Sequence, residues 1–205
     1  MLPEGRKHCQ GLPPDVLSNL PDNVIDVILM CLPCKDGVRT SELSKKWRYH
    51  WCRLAKFELY ESLWRTQKDR LYPTVRFAKI AYQLLTHHEG PITKFKLNIT
   101  HRYLKECPEI DNFIYFLSRK GIQHLFVLKI SESLNIIEIN APMLRSFDFT
   151  GSISSICLKS VPLMAKASLM HEGSYMEAHN FDYAKFFESC SALEHLLLNF
   201  GHSKV

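Results

Sequence analysis

The first helix that the sequence predicts is apolar on nearly every side. It begins at Leu20 and Pro21 and ends where Pro33 interrupts the backbone hydrogen bonding. From residue 23 to residue 32 only Asn23 and Asp26 are clearly polar. A helix of this kind must be buried on more than one side, and only about 20 residues of helical pattern follow it. We expect one side to pack on its own module and the other to contact a different surface. A buried strand is the alternative, but the prolines and the length favour a helix.

Two shorter helical pieces follow the first helix. Leu43, Trp47 and Trp51 are spaced at four-residue intervals, so we expect them to share one helical face, with the neighbouring basic residues elsewhere. The sequence therefore predicts a small helical module with aromatic anchors over residues 15–55. Residues 1–14 contain glycines and a proline pair, which favour an extended, solvated tail.

The remainder of the chain repeats an order of helix, glycine and strand. A helix from Thr74 to about His88 precedes an alternating strand over residues 94–99, and a second cycle ends in a strand over residues 125–130. His88 lies at the end of the first of these helices, where a structural role is favoured over a catalytic one.

The repeating order then becomes shorter. Residues 141–149 match residues 161–169, and an offset of 20 falls in the range of leucine-rich repeats. A final unit over residues 186–199 repeats the pattern. We therefore predict a mixed α/β fold, in which the helical module is followed by an irregular leucine-rich-repeat-like solenoid over residues 56–205, incomplete at its carboxy terminus. The predicted solenoid core includes Phe95, Leu97, Ile99, Phe147 and Phe149.

Composition narrows the class of protein. The chain has 205 residues, 46% hydrophobic and 23% charged, with a formal net charge of +5. The composition is typical of a folded protein, and the net positive charge is lower than that of a dedicated nucleic-acid-binding protein. No window approaches the roughly 18 to 20 apolar residues that span a bilayer, and the amino terminus has no apolar segment typical of a secretory signal. The seven cysteines lack a repeating framework, which is typical of reduced thiols, so we expect a protein of the nucleus or the cytoplasm.

Two rival chemistries are weakly supported. Cys31 and Cys34 have the spacing of half a zinc knuckle, and His50 and Cys52 are near enough in sequence to complete a four-ligand set. However, the spacing of the second pair fits no known finger, so free structural thiols are favoured and no metal or cofactor is predicted.

The second rival is a basic nucleic-acid-associated module. A run of lysines and arginines is interleaved with aromatic residues, which would allow phosphate contacts and stacking. We expect the rings and the charges to lie on different sides of the helix, which disfavours this function. No catalytic motif with readable spacing is present, so we expect a protein without enzymatic activity. The cationic run comprises Arg39, Lys45, Lys46, Arg48 and Arg53, and its rings are Trp47, Tyr49 and Trp51.

Three short strings carry a resemblance to a known family. They are LPDNVIDVILMCLP over residues 20–33, KDGVRTS over residues 35–41 and LSKKWR over residues 43–48. This pattern closely resembles the F-box motif of plant F-box proteins with leucine-rich repeats, often of the F-box/FBD/LRR kind. The resemblance implies a substrate-receptor subunit of an SCF-type cullin ubiquitin ligase. Its F-box would dock on a Skp-type adaptor, which bridges to the cullin scaffold, and its repeats would hold a protein substrate.

The resemblance also implies a set of adaptor contacts and some departures from the family. The repeats look shortened, with a join expected over residues 129–132, and the carboxy-terminal FBD region is not found. These departures leave open a truncated variant that binds adaptor and delivers no substrate. The implied adaptor contacts are Leu20, Pro21, Ile25, Ile28, Leu32, Pro33, Val38, Leu43 and Trp47.

Overall fold

The amino-terminal module is built from short helices. The structure, a computed structural model, describes residues 16–60, 73–99, 109–129, 136–172 and 175–200, and the predicted tail over residues 1–14 lies outside these ranges. Within the described ranges no helix is long and apolar enough to cross a membrane. The module consists of α1 (Asp22–Met30), α2 (Cys34–Arg39) and two 3-10 helices (Thr40–Glu42 and Trp47–Arg53).

Strands and helices alternate after the module. The elements in chain order are β1 (Lys56–Tyr60), α3 (Pro73–His87), β2 (Lys94–Ile99), α4 (Glu109–Arg119), β3 (His124–Lys129), β4 (Ile137–Asn140), β5 (Ser146–Gly151), a third 3-10 helix (Ile153–Ser155), β6 (Ile156–Ser160), β7 (Lys166–His171), α5 (Tyr175–His179), α6 (Tyr183–Phe186) and β8 (His195–Phe200). This mixture of helices and strands confirms the predicted α/β class.

Six of the strands form one parallel sheet, in the order β1-β2-β3-β5-β7-β8. From β2 onwards, the turn before each strand of this sheet is held in the same way, because one carbonyl of the turn before the neighbouring strand accepts two consecutive N–H groups. The Thr93 carbonyl oxygen, for example, accepts from the nitrogens of Gln123 and His124, each at 2.9 Å. The predicted offset of 20 residues is confirmed, since Ser146 pairs with Lys166. The same backbone contact therefore recurs from one repeat to the next.

The main core lies on one face of this sheet. Phe95, Leu97, Phe147 and Phe149 are buried there, which confirms these predicted core positions. The side chain of Ile99 lies outside the described residues. Helices α3 and α4 contact each other and contribute side chains to this same core, so that the helices cover one side of the sheet. The α3 helix begins one residue before the predicted Thr74.

A second, two-stranded parallel sheet continues the helical layer. Strand β4 lies against α4 and pairs with β6. A strand advances about 3.3 Å per residue and an α-helix about 1.5 Å, so a repeat with a strand in its second layer needs fewer residues. This explains why the repeating order shortens in the second half of the chain. The join predicted over residues 129–132 lies mostly outside the described residues.

A buried histidine joins the helical module to the repeats. His88 is 2% exposed, with its Nε2 atom 2.8 Å from the Leu54 carbonyl oxygen and its Nδ1 atom 3.1 Å from that of Gly90. Gly90 approaches the module so closely that an added Cβ would lie 3.1 Å from the Arg53 carbonyl oxygen. The structural role predicted for His88 thus takes the form of a bond between the two parts of the chain.

The stability of this junction is expected to depend on pH. Burial lowers the pKa of His88 below the usual histidine value of 6.5. When the pH falls through that value, the unfolded chain takes up a proton that the folded chain resists, so the free energy of unfolding decreases. We expect His88→Gln to show a smaller decrease than the wild type when urea midpoints are measured at about pH 7.5 and about pH 5.5. Equal decreases in both proteins would contradict this assignment, and the other histidines cancel in the comparison.

Candidate partner-binding surface of the amino-terminal module

One side of α1 forms the core of the module. Ile25 and Leu29, one helical turn apart, are 0% and 1% exposed and pack with Trp47, which is 2% exposed. The Trp47 indole nitrogen donates a hydrogen bond to the Leu17 carbonyl oxygen at 3.0 Å. The ring therefore ties the segment before α1 to the 3-10 helix that carries it.

The opposite side of α1 is apolar and exposed. Val24, Val27 and Met30 follow at three-residue intervals and are 37%, 56% and 50% exposed, and Leu32 just beyond the helix is 37% exposed. We call these four residues the α1 face. The sequence-based expectation of a helix with one side buried in its own module and one apolar side left over is confirmed. Contiguous apolar surface of this kind is typical of a protein interaction site.

Polar contacts hold α1 in this orientation. His50 is buried, and its Nδ1 atom lies 3.1 Å from an oxygen of Asp26. The Lys46 ammonium lies 3.4 Å from an oxygen of Asp22 and donates to the Leu20 carbonyl oxygen. These contacts join the first turns of α1 to the second 3-10 helix. The carboxylate of Asp22, in the first turn of α1, also suits the positive end of the α1 helix dipole.

The predicted adaptor contacts divide into three groups by burial. Ile25 and Trp47 lie inside the module, so their side chains are not available to a partner in this structure and act as its core. The half-buried residues are Leu20, Ile28 and Val38, and the exposed residues are Pro21, Leu32, Pro33 and Leu43.

The expectation that Leu43, Trp47 and Trp51 share a helical face is wrong. Leu43 is 54% exposed, whereas both tryptophans are buried. The cause is local geometry, since this segment forms two separate 3-10 helices with three residues per turn instead of one continuous α-helix. Residues four apart then point in different directions.

The aromatic residues of the cationic run bear on the nucleic-acid hypothesis. Of the three rings in this described segment only Tyr49 is exposed, so most of the surface on which bases would stack is missing there.

Three residues of the α1 face were not among the predicted contacts. Val24, Val27 and Met30 carry the same apolar signal as Ile25, and the sequence alone does not reveal which side of a uniformly apolar helix turns outward. The weak signal that was present is the position of Asp26, whose contact with His50 shows which side of α1 faces the second 3-10 helix.

The proposed zinc ligands are not assembled. Across the described ranges no group of three or more His, Cys, Asp or Glu side chains is placed to hold a metal ion. Burial raises the pKa of the Cys34 thiol to about 12, which opposes formation of the thiolate that zinc requires. Cys34 instead lines a cavity of about 310 Å³ between α1, α2 and β1, and the five described cysteines are all free thiols.

Comparison with known proteins places the module in a family. Residues 17–59 match the F-box domain. An F-box/FBD/LRR-repeat protein of Arabidopsis thaliana is 40% identical over 123 residues, which cover 60% of this chain and 29% of the relative. An F-box/LRR-repeat protein of the same plant is 26% identical over 192 residues, covering 90% of this chain and 49% of the relative. No solved structure is a significant match to the chain.

A second F-box/FBD/LRR-repeat protein of Arabidopsis thaliana is 30% identical over 199 residues, covering 90% of this chain and 42% of the relative. This chain therefore spans less than half the length of the curated relatives that it matches. A helical F-box domain in front of a sheet of parallel repeat strands defines the class, an F-box protein with repeats. The chain carries an F-box domain and is similar to plant F-box proteins of the F-box/FBD/LRR-repeat kind. F-box domains generally bind Skp-type adaptors within SCF ubiquitin ligases, and F-box proteins are generally non-catalytic substrate receptors.

Proposed function

We propose that this chain is a non-catalytic substrate receptor of an SCF-type ubiquitin ligase and docks on a Skp-type adaptor through the α1 face. The observation that carries the proposal is the exposure of Val24, Val27 and Met30 on a helix whose other side is fully buried. An amphipathic helix that lays an apolar strip into a partner groove is a common recognition mode. In such complexes the adaptor binds the cullin scaffold. We expect the assembly to form in the nucleus or the cytoplasm.

The proposed interface extends beyond the α1 face. Pro21, Pro33 and Leu43 are exposed on the same module and remain proposed contacts, as do the half-buried Leu20, Ile28 and Val38. Ile25 and Trp47 are left out of the interface because they are buried. Their part is indirect, since the core that they form sets the direction of α1.

The repeat sheet is the proposed substrate-holding part. Strand β1 follows the module directly, and Leu54, Cys34 and Val38 pack against the large core of the repeats. A close-packed junction of this kind holds the sheet in a fixed orientation relative to the adaptor-binding helix. A substrate bound to the sheet would then be held near the ubiquitin-charged enzyme at a raised effective concentration, and the other subunits would perform the chemistry.

Adaptor affinity in two matched variants tests the proposal. Val27→Asp/Leu32→Asp places two charges on the α1 face, and we expect it to weaken binding of a purified Skp-type adaptor by roughly 2 kcal/mol or more, about thirtyfold. Leu163→Asp/Met176→Asp makes the same change at apolar residues that are 44% and 63% exposed in the repeats, and its affinity is expected to stay close to wild type. Unchanged affinity in the first variant, with both proteins folded by circular dichroism, would remove the assigned surface.

Thiol labelling supplies an independent footprint of the same interface. Cys31 is exposed between Met30 and Leu32, whereas the raised pKa of Cys34 keeps that thiol protonated. We expect iodoacetamide to modify Cys31 quickly in the free protein and slowly in the adaptor complex, with Cys34 slow in both. Cys31 labelling at the same rate in the complex would show that the adaptor binds elsewhere.

A further inference from the structure

The face of the large sheet that lies opposite the described helices carries three lysines in one row, near the amino-terminal ends of the strands. Because Phe57, Phe95, Leu125 and Phe147 point into the core, the residues before them point to the opposite, open face. These preceding residues are in register across the sheet, at the amino-terminal end of each strand. We call them the basic row: Lys56, Lys94, His124, Ser146, Lys166 and His195.

The next row on the open face mixes charged and apolar side chains. Lys96 of β2 belongs to this row, and its ammonium lies 5.4 Å from the Tyr60 ring centroid and 4.9 Å from that of Phe126. Glu58 already pairs with Lys56, whose ammonium is 2.9 Å away. Asp148 lies near Lys94 and His124 and is partly buried. The two rows together hold four lysines against two carboxylates, so the open face has an excess of positive charge.

The character of the open face changes along the sheet. Lys94 and Lys166 are exposed and form no ion pair with a described carboxylate within 4.0 Å. At the β8 end, Leu197 is 63% exposed and Met170 on β7 is 42% exposed. The open face therefore carries Lys94 on β2 and Lys166 on β7, and it becomes apolar at its β8 end.

We propose that this open face binds an acidic peptide segment of the substrate, laid across the strands with its carboxylates on Lys94 and Lys166 and an aliphatic side chain on Leu197. The inference rests on the proposed receptor function and names the substrate class that the repeats recognise. Charge complementarity with the lysines requires a negatively charged peptide. The exposed Leu197 and Met170 favour an apolar residue after the carboxylates.

The spacing of the two lysines predicts the spacing of the carboxylates. Strands β2 and β7 are three steps apart in the sheet, and each step is about 4.8 Å, so the two lysines are separated by about 14 Å. An extended peptide advances about 3.4 Å per residue, so carboxylates four residues apart span the same distance and point to the same side. Leu197 lies one strand step across and two residues along from Lys166, a distance of about 8 Å, which corresponds to an aliphatic residue about two positions later in the peptide.

The same face fits a nucleic acid less well. A phosphate backbone needs a continuous cationic track, and Glu58 and Asp148 interrupt the second row at β1 and β5. The aromatic rings of Tyr60 and Phe126 are also already covered by Lys96, which leaves less free surface for stacked bases.

Fluorescence anisotropy with the full chain tests the inference. The probe is a labelled peptide of about ten residues with two glutamates four residues apart, a leucine two positions beyond the second, and serine and glycine elsewhere. We expect Lys94→Glu/Lys166→Glu to weaken peptide affinity by about tenfold or more. The matched control, Lys79→Glu/Lys185→Glu, makes the same change in net charge at exposed lysines of α3 and α6, and its affinity is expected to change less than about twofold.

Three results would overturn the inference. They are an equal loss of affinity in both double variants, undiminished affinity for a peptide whose glutamates are adjacent, and tighter binding of an oligothymidylate through the same two lysines. Adaptor affinity, measured on the same proteins, is expected to be unchanged by Lys94→Glu/Lys166→Glu and separates the two proposals. If the chain binds adaptor but not the peptide, only the present inference is overturned. That result would favour the alternative in which this chain is a truncated F-box protein that binds adaptor and delivers no substrate. Peptide binding without adaptor binding overturns only the receptor function.

Discussion

Replacing Trp47 by alanine is expected to unfold the amino-terminal module. The side chain is 2% exposed and packs with Ile25 and Leu29 in the small core of the module. Truncation of a buried tryptophan costs about 3 to 5 kcal/mol, and loss of the indole hydrogen bond leaves the Leu17 carbonyl oxygen with the Leu20 N–H, 3.4 Å away. A module with so few buried side chains has little stability to spare. Urea unfolding followed by circular dichroism measures the loss.

Two control variants separate packing from surface effects. Tyr49→Ala removes a neighbouring aromatic ring that is 67% exposed, and we expect its free energy of unfolding to stay within about 0.5 kcal/mol of wild type. Trp47→Phe keeps most of the packing and loses the hydrogen bond, so an intermediate loss is expected. Wild-type stability of Trp47→Ala, combined with weak adaptor binding, would show instead that this ring contacts the adaptor directly.

Replacing Phe147 by alanine is expected to be the most damaging single change in the repeats. The ring is 0% exposed on β5, in the interior of the sheet, and stacks against Phe149 with a centroid distance of 6.1 Å. Both neighbouring strands pair along this segment, so the cavity has few ways to collapse, and a cost of about 3 to 5 kcal/mol is expected. Since each repeat is stabilised by its neighbours, the loss should spread to β3 and β7. Hydrogen exchange of these strands measures that spread.

Phe126→Ala is the matched control for the repeat core. Phe126 lies on the adjacent strand β3 but on the open face, where it is half-buried beneath Lys96. We expect a loss below about 1.5 kcal/mol, because the site is open to solvent and no closed cavity forms. A comparable loss in both variants would contradict the assignment of the two sheet faces.

The repeats show what local pattern is able to predict. Phe95, Leu97, Phe147 and Phe149 alternate with polar residues, and a strand places alternate side chains on opposite faces, so their burial follows from spacing alone. The match between residues 141–149 and 161–169 likewise indicated repeats, and the pairing of Ser146 with Lys166 confirms it. Both signals are carried by residues close together in the chain.

The amino-terminal module shows where local pattern is insufficient. Trp47 and Leu43 are both apolar and four residues apart, yet one is buried and the other is exposed, because the segment adopts 3-10 geometry under the packing of α1. Propensity does not reveal that choice, since it depends on contacts with residues more than twenty positions away, such as the bond between His50 and Asp26.

The sequence by itself determined the resemblance to F-box proteins, the presence of a helix too apolar for its own module, and the repeating strands with their buried positions. Only the tertiary structure decided that Val24, Val27 and Met30 face outward while Ile25 faces inward, and that Lys94 and Lys166 share one open face. The physical reason is the range of the interactions. Hydrophobic periodicity is set by neighbours along the chain, whereas the direction of an apolar helix and the alignment of distant strands depend on packing between segments far apart in sequence.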